Sequence, residues 1–407
     1  MRKISLVFSV FALGLSACGE ESTSPIDEGE PLLAPPAEGA GIQLSMVTTL
    51  EPGTEVEHCK FVKAPPEGLN INRDEVRYSG GSHHVLLYKT QYEEIPTVDE
   101  QGDEVDTSGV FDCSEGVNFR WAISSIIAGS QNATGESVVK FPEDVAIRVP
   151  GNAVLLLNAH FINAGAEAVE PEVAVNLHTI PDEAVKHEGG MLFWYNPFIK
   201  VDAKGKGLAT MSCPIPDDIN LENAQSHMHR RGMNYAAALI DEEGDREVIY
   251  ENTAWEGVPV ETWNPGRAIN QGSRIEFFCE YENPEDRVVW QGGKTTDEMC
   301  MFIGSYWPAT DAISLCSNDE DNALNGQSMA GEWIGQGSGT CGEALGCLQA
   351  IPQNSTFDGF IQGLTECINA TAPEESVYVS QGVTCLLTHE DPVNDCMPEI
   401  QACLNHE

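Results

Sequence analysis

Short apolar runs separated by turn-forming residues dominate most of the chain. Between about residues 41 and 316, apolar and β-branched runs of roughly four to eight residues recur between clusters of Gly, Pro, Asn and Asp. This spacing is typical of antiparallel sandwiches or barrels rather than of alternating strand and helix units. Since the segment exceeds one sandwich of roughly 100 residues, it predicts a mainly β fold with two tandem, jelly-roll-like β-sandwich domains, residues 45–185 and 186–317.

The pattern changes near residue 318. Residues 357–367 and 399–403 have helix-like apolar spacing, within a segment rich in Gly, Ser and acidic residues. We predict a small helical module over residues 318–407, held by three disulfides whose pairing the sequence leaves open. Its six cysteines are Cys341, Cys347, Cys367, Cys385, Cys396 and Cys403.

The first residues of the chain predict a targeting signal. Arg2 and Lys3 precede an apolar stretch, residues 4–15, which is too short to span a bilayer comfortably. Leu-Ser-Ala-Cys at residues 15–18 resembles a bacterial lipobox, in which Cys18 is acylated after removal of a signal peptide, residues 1–17. The alternative is an ordinary cleaved signal with a chance cysteine.

A Pro-rich acidic segment follows the proposed anchor. Residues 19–40 contain no Lys or Arg, so we interpret residues 18–44 as a tether. Gly19 is not the Asp that commonly retains lipoproteins at the inner membrane. We therefore expect a lipid-anchored protein of the bacterial cell envelope, at the outer membrane, with the anchor as its only membrane contact.

The charge and the cysteines limit the partners and the compartment. A formal net charge of −43 disfavours nucleic acid and anionic lipid as partners. This negative charge is explained either as an adaptation that keeps the protein soluble or as a means of attracting cationic substrates. Of 13 cysteines, 12 remain when Cys18 is set aside, which suggests six disulfides in an oxidising compartment. No paired CxxC spacing supports structural zinc.

Six residues in four short segments carry the candidate chemistry. Five imidazoles and one thioether, without carboxylates, disfavour magnesium, calcium and manganese, and the soft thioether favours copper, especially Cu(I). This set of donors therefore predicts a two-copper redox protein. These residues are His83, His84, His160, His227, His229 and Met299.

Each segment taken alone is weaker evidence. On a strand, His227 and His229 would point to one face, whereas adjacent His83 and His84 would bind one metal only at a strand end, at a bulge or through differently angled nitrogens. An isolated His-His pair more often lies on the solvent-exposed surface and binds no metal. A lone histidine such as His160, at the end of an apolar run, is more often a satisfied core residue.

The four segments together resemble the copper type II, ascorbate-dependent monooxygenases, the family of the peptidylglycine α-hydroxylating and dopamine β-hydroxylating enzymes. The matching segments are SHHVLLY at 82–88, LLNAHF at 156–161, SHMHRRG at 226–232 and GGKTTDEMC at 292–300. Their order and spacing agree with the family across about residues 59–316, while the Cys-rich tail lies outside the resemblance.

The resemblance implies two unlike copper ions and a reaction. His83, His84 and His160 would hold an electron-transfer copper, and His227, His229 and Met299 an oxygen-activating copper, across an open cleft. Ascorbate or a similar donor would reduce both, and one atom of O2 would enter a substrate C–H bond. The resemblance also implies three disulfides, which are Cys59–Cys113, Cys213–Cys316 and Cys279–Cys300. We interpret Asp297 and Glu298 as residues that support the ligands.

Three positions differ from the peptide-amidating members. Those members place an arginine two residues before the first histidine of the His-x-His element, where this chain has Gln225. An amide cannot supply the cationic fork that a carboxylate prefers. Met301 and Ile303 replace an Asn and a Tyr that contact the peptide. We expect a more apolar pocket that does not accept glycine-extended peptides.

Three functions remain in competition. The leading one is a monomeric copper monooxygenase that hydroxylates a small organic substrate with O2 and ascorbate or a similar one-electron donor. The rival is a non-enzymatic copper-binding or storage lipoprotein on the same scaffold. Adhesion or carbohydrate binding by paired sandwiches is the third, because a fold does not fix a function.

Overall fold

The computed structural model describes residues 31–132, 134–314, 316, 331–352, 355–388 and 395–406. The predicted signal peptide, Cys18, residues 18–30 of the tether and His389 lie outside this range. From Leu32 onward the described residues belong to one compact unit. In the described part of the chain, no helix has the length and apolarity that a membrane crossing requires. Strands predominate, which confirms the mainly β class.

The first sandwich consists of two sheets that are antiparallel except for the short parallel pair of β11 with β8. One has the order β1-β10-β3-β8-β11, with β7 also on β3, and the other has the order β5-β2-β9-β4-β6. A short helix, α1 (Val117–Arg120), precedes β6. The strands are β1 (Gly41–Val47), β2 (Thr54–Lys63), β3 (Leu69–Tyr78), β4 (Ser82–Thr90), β5 (Phe111–Asp112), β6 (Ile123–Ser130), β7 (Glu136–Lys140), β8 (Val145–Val149), β9 (Val154–Asn163), β10 (Glu172–Thr179) and β11 (His187–Glu188).

Strand β9 explains the longest apolar run of this sandwich. It lies between β2 and β4, and nearly every residue along it is buried. Leu155 and Leu157 face the core between the two sheets. Val154 and Leu156 face a smaller core on the other side of the sheet, which Trp121 helps to cover. A strand buried on both faces loses the alternation of a half-exposed strand and reads as a continuous hydrophobic segment.

The second sandwich has sheets of order β12-β21-β15-β18 and β17-β16-β19-β14-β22, and a small β13-β20 pair. Its core contains Tyr235, Phe277 and Phe302, each fully buried. A short helix, α2 (Asp311–Ser314), follows the last strand before residue 316. The strands are β12 (Gly190–Tyr195), β13 (Lys200–Val201), β14 (Lys206–Pro214), β15 (Ile219–His227), β16 (Gly232–Ile240), β17 (Arg246–Asn252), β18 (Glu261–Ile269), β19 (Arg274–Glu282), β20 (Val289–Trp290), β21 (Met301–Trp307) and β22 (Glu332–Ile334).

The domain limits differ slightly from those expected. β1 begins at Gly41, so four residues assigned to the tether belong to the first sandwich. β11 pairs with β8 of the first sandwich, and β12 begins at Gly190 in the second. The change from one sandwich to the other therefore lies at Gly189–Gly190 and not at residue 186. A two-residue strand carries too little periodic pattern for the sequence to assign it.

The C-terminal module is helical but does not stand apart. β22 pairs with β14, and Trp333 packs edge-on against Phe198 of the second sandwich, with ring centroids 4.6 Å apart. Buried residues of the module, such as Leu364 and Val383, belong to the same core as the second sandwich. The module is thus an extension of that sandwich. Its helices are α3 (Cys341–Gln349), α4 (Phe357–Asn369), α5 (Ser376–Thr388) and α6 (Met397–Asn405), with a 3₁₀ turn at Pro373–Glu375.

All 12 cysteines of the folded body form disulfides. The three pairs that the resemblance implies, Cys59–Cys113, Cys213–Cys316 and Cys279–Cys300, are present. The pairing within the module, which the sequence left open, is also defined. It consists of Cys341–Cys403, Cys347–Cys367 and Cys385–Cys396.

Candidate metal centre

A bulge at the start of β4 brings His83 and His84 to the same place. Ser82 pairs with Phe161 and His84 with His160, so the register shifts by one residue between Ser82 and His84. His83 is the extra residue, which releases it from the strict alternation of side chains along a strand. The bulge is one of the geometries that the adjacent histidines required.

Three imidazoles converge at this bulge. The ring centroids of His84 and His160 are 5.0 Å apart, those of His83 and His160 5.4 Å, and those of His83 and His84 5.7 Å. One ring nitrogen from each lies within 4.8 Å of the others, which is compatible with a common metal ion. We call these residues the first histidine group.

Hydrogen bonds define which nitrogens of this group remain free. Nε2 of His160 lies 3.1 Å from a carboxylate oxygen of Glu55, so that nitrogen donates its hydrogen and Nδ1 keeps a lone pair. Among the described residues, the buried Nδ1 atoms of His84 and His160 have no hydrogen-bond partner. Buried polar atoms are rarely left unpaired. Two orphaned imidazole nitrogens beside a third imidazole are therefore a donor set that fits copper.

Burial keeps these imidazoles neutral. Desolvation, followed by the neighbouring His83, lowers the pKa of His160 to about 4. Desolvation also lowers the pKa of His84 well below its usual value, and the other histidines add to this effect. Only a neutral imidazole has a lone pair to offer a metal, so the cluster is available for metal binding at neutral pH.

The second histidine group is His227 and His229, whose ring centroids are 5.2 Å apart. β15 ends at His227, so His229 lies just beyond the strand. Strand alternation therefore does not bring the two rings together, contrary to our sequence argument. Instead, Glu298 accepts hydrogen bonds from the backbone N–H groups of His229 and Arg231, at 3.0 and 2.9 Å, and fixes the turn.

Each ring of the second group is held through Nδ1. The Nδ1 of His227 lies 2.5 Å from the Oε1 atom of Gln131, a residue of the first sandwich. The Nδ1 of His229 lies 3.1 Å from the backbone carbonyl oxygen of Asp297. Because a carbonyl oxygen only accepts hydrogen bonds, Nδ1 of His229 carries its hydrogen and Nε2 remains for a metal. Desolvation lowers the pKa of His229 to about 4.

The loop that leads to Met299 contacts His229. The β15–β21 pairing ends with His227 opposite Met301, and Asp297 and Glu298, just before Met299, bond the ring and the backbone of His229. The carbonyl of Met299 accepts a 2.7 Å hydrogen bond from the Tyr281 hydroxyl, and the next residue is tied into a disulfide. Met299 is half-buried. The backbone of Met299 is therefore held by this hydrogen bond and by the disulfide of the next residue.

A buried ion pair supports this loop. Glu298 is fully buried and lies 3.4 Å from Nη1 of Arg231, which is also buried. Burial raises the pKa of Glu298 to about 7, although two backbone N–H groups and Arg231 act in the opposite direction. Glu298 thus supports the histidine turn, as the sequence interpretation expected, and its oxygens are occupied by these contacts.

The two histidine groups adjoin each other. The ring centroids of His84 and His227 are 6.2 Å apart, although the residues come from different sandwiches. This arrangement differs from the open cleft that the resemblance implies. The five rings form one continuous cluster at the junction of the sandwiches, in which His160, His227 and His229 are buried and the other two are half-buried. Trp255, on a loop of the second sandwich, approaches His83 with a centroid distance of 6.5 Å.

A cavity of about 370 Å³ reaches the cluster from one side. Its lining includes Glu55 and His160 of the first sandwich, Lys294 of the loop before Met299, and Ile361 and Gln362 on α4 of the module. The module therefore contributes a wall to a space that a proposed metal ligand, His160, also lines.

The remaining histidines of the described residues make local contacts. Nδ1 of His58 lies 2.7 Å from the Thr48 hydroxyl, and His187 packs against Trp307 with a centroid distance of 4.7 Å. His178 lies within β10, and its Nε2 lies 3.4 Å from a carboxylate oxygen of Glu75. His406 is paired with Glu375.

Sequence reasoning did not identify Glu55 and Gln131 as parts of the centre. Glu55 lies on β2 and bonds both His160 and the backbone N–H of Thr295, the latter at 2.8 Å. Alternation of Glu55 and Glu57 places two acids on one face of that strand, but only the β2–β9 register shows that this face adjoins His160. For Gln131 the sequence carries no signal that we recognise.

A family comparison covers most of the second sandwich. Residues 200–328 match the model of the copper type II ascorbate-dependent monooxygenase, C-terminal domain. This confirms the resemblance for the part of the chain that contains His227, His229 and Met299.

Comparison with solved structures adds little. The major capsid protein P2 from bacteriophage PM2 matches with a TM-score of 0.29 and 9% identity over 65% of this chain and 97% of that chain. A structure of infectious bursal disease virus, Gt strain, matches with a TM-score of 0.18 and 12% identity over 69% and 75%. The coconut allergen cocosin matches with 0.15 and 8% over 66% and 77%. At such TM-scores, these similarities carry no argument about fold or function.

Proposed function

We propose that this protein is a copper-dependent monooxygenase that hydroxylates a C–H bond of a small organic molecule. It would use O2 and ascorbate or a similar one-electron donor. The family match over residues 200–328 supports the reaction class. The proposal goes further by assigning the ligands, the number of copper ions and the kind of substrate.

One observation carries the proposal. Five imidazoles from both sandwiches meet in one cluster, three of them buried and two half-buried, and the two groups offer different donors. His160 is bonded through Nε2 and leaves Nδ1 free, whereas His229 is bonded through Nδ1 and leaves Nε2 free. Buried polar atoms are rarely left unpaired, and a bound metal ion would satisfy the Nδ1 atoms of His84 and His160 together.

The two groups would hold unlike copper ions. His83, His84 and His160 would bind one ion through nitrogen alone. His227, His229 and Met299 would bind the other, with a thioether that favours Cu(I). When bound, the two ions supply the two electrons and the oxygen activation that hydroxylation needs.

The chain itself would orient the ligands and exclude water. Burial keeps the imidazoles neutral, and Glu55, Gln131 and Glu298 hold the rings or the histidine turn in place. Such partners typically change metal affinity or activity by about 10–100-fold when they are removed.

The surroundings of the second group argue against a peptide carboxylate as substrate. Gln225 accepts a 3.1 Å hydrogen bond from Gln131 and pairs with Ile303 in the sheet. Met301 and Ile303 are buried. Position 225 has no guanidinium group that could bind a carboxylate through two hydrogen bonds. We therefore propose a neutral or apolar C–H substrate and no turnover of glycine-extended peptides.

Copper-reconstituted protein with ascorbate and a library of small C–H substrates tests this function. The expected results are about two copper ions per chain, ascorbate-dependent oxygen uptake, and a product heavier by one oxygen atom. Copper binding without oxygen uptake for any substrate would favour the storage protein instead. Failure to bind copper would exclude both functions.

We also propose that Cys18 carries a lipid anchor in the cell envelope. Six disulfides support an oxidising compartment. Incorporation of labelled palmitate in a bacterial host, lost in Cys18→Ser, would support the anchor, and equal labelling of both proteins would refute it.

A further inference from the structure

Gln131 connects the two sandwiches at the metal centre. It directly follows β6 of the first sandwich, and its side chain contacts three consecutive residues at the end of β15 in the second. Nε2 of Gln131 lies 2.7 Å from the backbone carbonyl of Ser226 and 3.1 Å from Oε1 of Gln225, and Oε1 lies 2.5 Å from Nδ1 of His227. The side chain is half-buried.

These contacts determine the protonation of His227 without reference to a metal. The carbonyl oxygen of Ser226 can only accept a hydrogen bond, so the Gln131 atom beside it is the amide NH2 group. The other amide atom is then the oxygen, which also only accepts. Nδ1 of His227 therefore carries the hydrogen, and Nε2 has the free lone pair.

The position of Gln131 in the first sandwich is also specific. Val85 and Ser130 form the last pair at one end of the antiparallel β4–β6 register, and His84 and Gln131 are the next residues along the chain at that end. This end of the strand pair thus carries a ligand of the first histidine group and the residue that holds a ligand of the second. This explains why the His84 and His227 rings lie 6.2 Å apart.

We propose that Gln131 is a positioning residue supplied by the first sandwich, which locks His227 in the Nδ1–H tautomer and so completes the second metal group only when the sandwiches are docked. The copper part of this inference rests on the proposed function. The tautomer part does not, because it follows from hydrogen bonds within the protein.

The primary test uses metal-free protein with 15N-labelled histidine. Nitrogen NMR at neutral pH reports which ring nitrogen carries the hydrogen, and the His227 signals are identified by their loss in His227→Gln. We expect the Nδ1–H tautomer alone in the parent and a mixture of tautomers in Gln131→Met, which is similar in length but cannot accept a hydrogen bond. Gln131→Glu keeps an oxygen against Nδ1 and should retain the parental tautomer.

Gln91→Met is the matched control. Gln91 lies at the opposite end of the same β4–β6 pair, is exposed, and donates to the Ile123 carbonyl at 3.4 Å. It should leave the His227 signals and the unfolding midpoint at parental values. A parental midpoint in Gln131→Met shows that the tautomer change is not a consequence of unfolding.

Copper titration provides the second measurement. In Gln131→Met we expect the affinity of one copper equivalent to fall by about 10–100-fold while the other equivalent is retained. An unchanged Nδ1–H tautomer in Gln131→Met, or a mixture in Gln131→Glu like that in Gln131→Met, would overturn the inference. If the parent binds no copper but its tautomer depends on Gln131, the proposed function fails and the positioning role stands.

Discussion

His84 and His227 lie in different sandwiches, yet the centroids of their rings are 6.2 Å apart and their planes are nearly perpendicular, at 81°. The contact makes the two histidine groups neighbours. A substitution in one group therefore alters the packing and the desolvation of the rings in the other. The centre behaves as a single buried unit whose two halves differ in their donors.

Replacement of His84 should remove one copper and spare the fold. His84→Ala deletes a ring whose Nδ1 is unpaired in the described part of the chain, so no hydrogen bond through that atom is lost. We expect copper analysis to fall from about two ions per chain to about one, with turnover reduced by more than the roughly 100-fold that loss of a ligand's partner costs. The control is His178→Ala, on β10 away from the cluster, which should keep the full copper content. Parental copper in His84→Ala would remove this residue from the ligand set.

Met299→Ile should abolish turnover while it largely preserves the fold. Residue 299 follows directly on Asp297 and Glu298, which bond His229, and isoleucine fills a similar volume without the thioether that favours Cu(I). Because apolar exchanges of similar volume usually cost less than about 1.5 kcal/mol, unfolding should change little. Oxygen uptake with ascorbate is the activity measurement, and denaturant unfolding is the stability measurement. Met233→Ile, at an exposed position on β16, is the control. Full oxygen uptake in Met299→Ile would exclude the methionine from the mechanism.

The candidate site shows what a sequence pattern can and cannot reveal. Apolar runs such as 154–157 predicted strands because a strand that is buried on one or both faces has apolar residues at its buried positions. The imidazoles and Met299 could be singled out because few residue types bind copper. Glu55 and Gln131 could not, since a glutamate on a strand and a glutamine after one are ordinary until the strand register is known.

The same reason explains the difference at the metal centre. Local motifs imply two metal sites but do not give the distance between the sandwiches, which depends on side chains such as Gln131 that cross the interface. The docking of the C-terminal module was likewise not predictable, because β22 has only three residues and Trp333 looks like any aromatic side chain until its contact with Phe198 is seen.

Glu55→Gln should weaken the first histidine group selectively. Burial acts to raise the pKa of Glu55, but the Thr295 N–H and His160 outweigh it, so the pKa is lowered and the carboxylate is ionised. A neutral amide binds the His160 ring less strongly and no longer requires its Nε2 to donate. We expect about 10–100-fold weaker binding of one copper ion in a titration. Glu136→Gln, at an exposed position on β7 in the other sheet of the first sandwich, is the control. Equal losses in both variants would mean that the effect is not specific to the His160 contact.

Filling the cavity from the module should slow access to the centre. Gln362 on α4 lines the cavity that ends at His160, so Gln362→Trp would occupy part of its roughly 370 Å³. We expect turnover with ascorbate to fall about tenfold, equivalent to roughly 1.4 kcal/mol, with copper content unchanged. Gln349→Trp, at the exposed end of α3, controls for an added tryptophan in the module. Parental kinetics in Gln362→Trp would show that small molecules reach the cluster by another path.

Asp74 should make the stability of the first sandwich depend on pH. It is buried on β3 between Leu177 and Val139, and one of its carboxyl oxygens has no hydrogen-bond partner among the described residues. Burial raises the pKa of Asp74 to about 8, although neighbouring Arg73 acts to lower it. Since the carboxyl ionises near pH 4 in the unfolded chain, the folded state binds more protons between about pH 4 and pH 8. The free energy of unfolding therefore falls as the pH rises through this window.

Asp74→Asn removes that titration and isolates it from the other carboxylates of an acidic chain. We expect the variant to gain stability relative to the parent as the pH rises from about 4 to 8, by on the order of a few kcal/mol at the upper end. Denaturant unfolding of metal-free protein at several pH values measures the difference. Asp245→Asn, at an exposed turn of the second sandwich, should show a pH-independent difference. A flat difference for Asp74→Asn as well would mean that the buried carboxyl is ionised and stabilised in the folded protein, because only then would its folded and unfolded pKa values coincide.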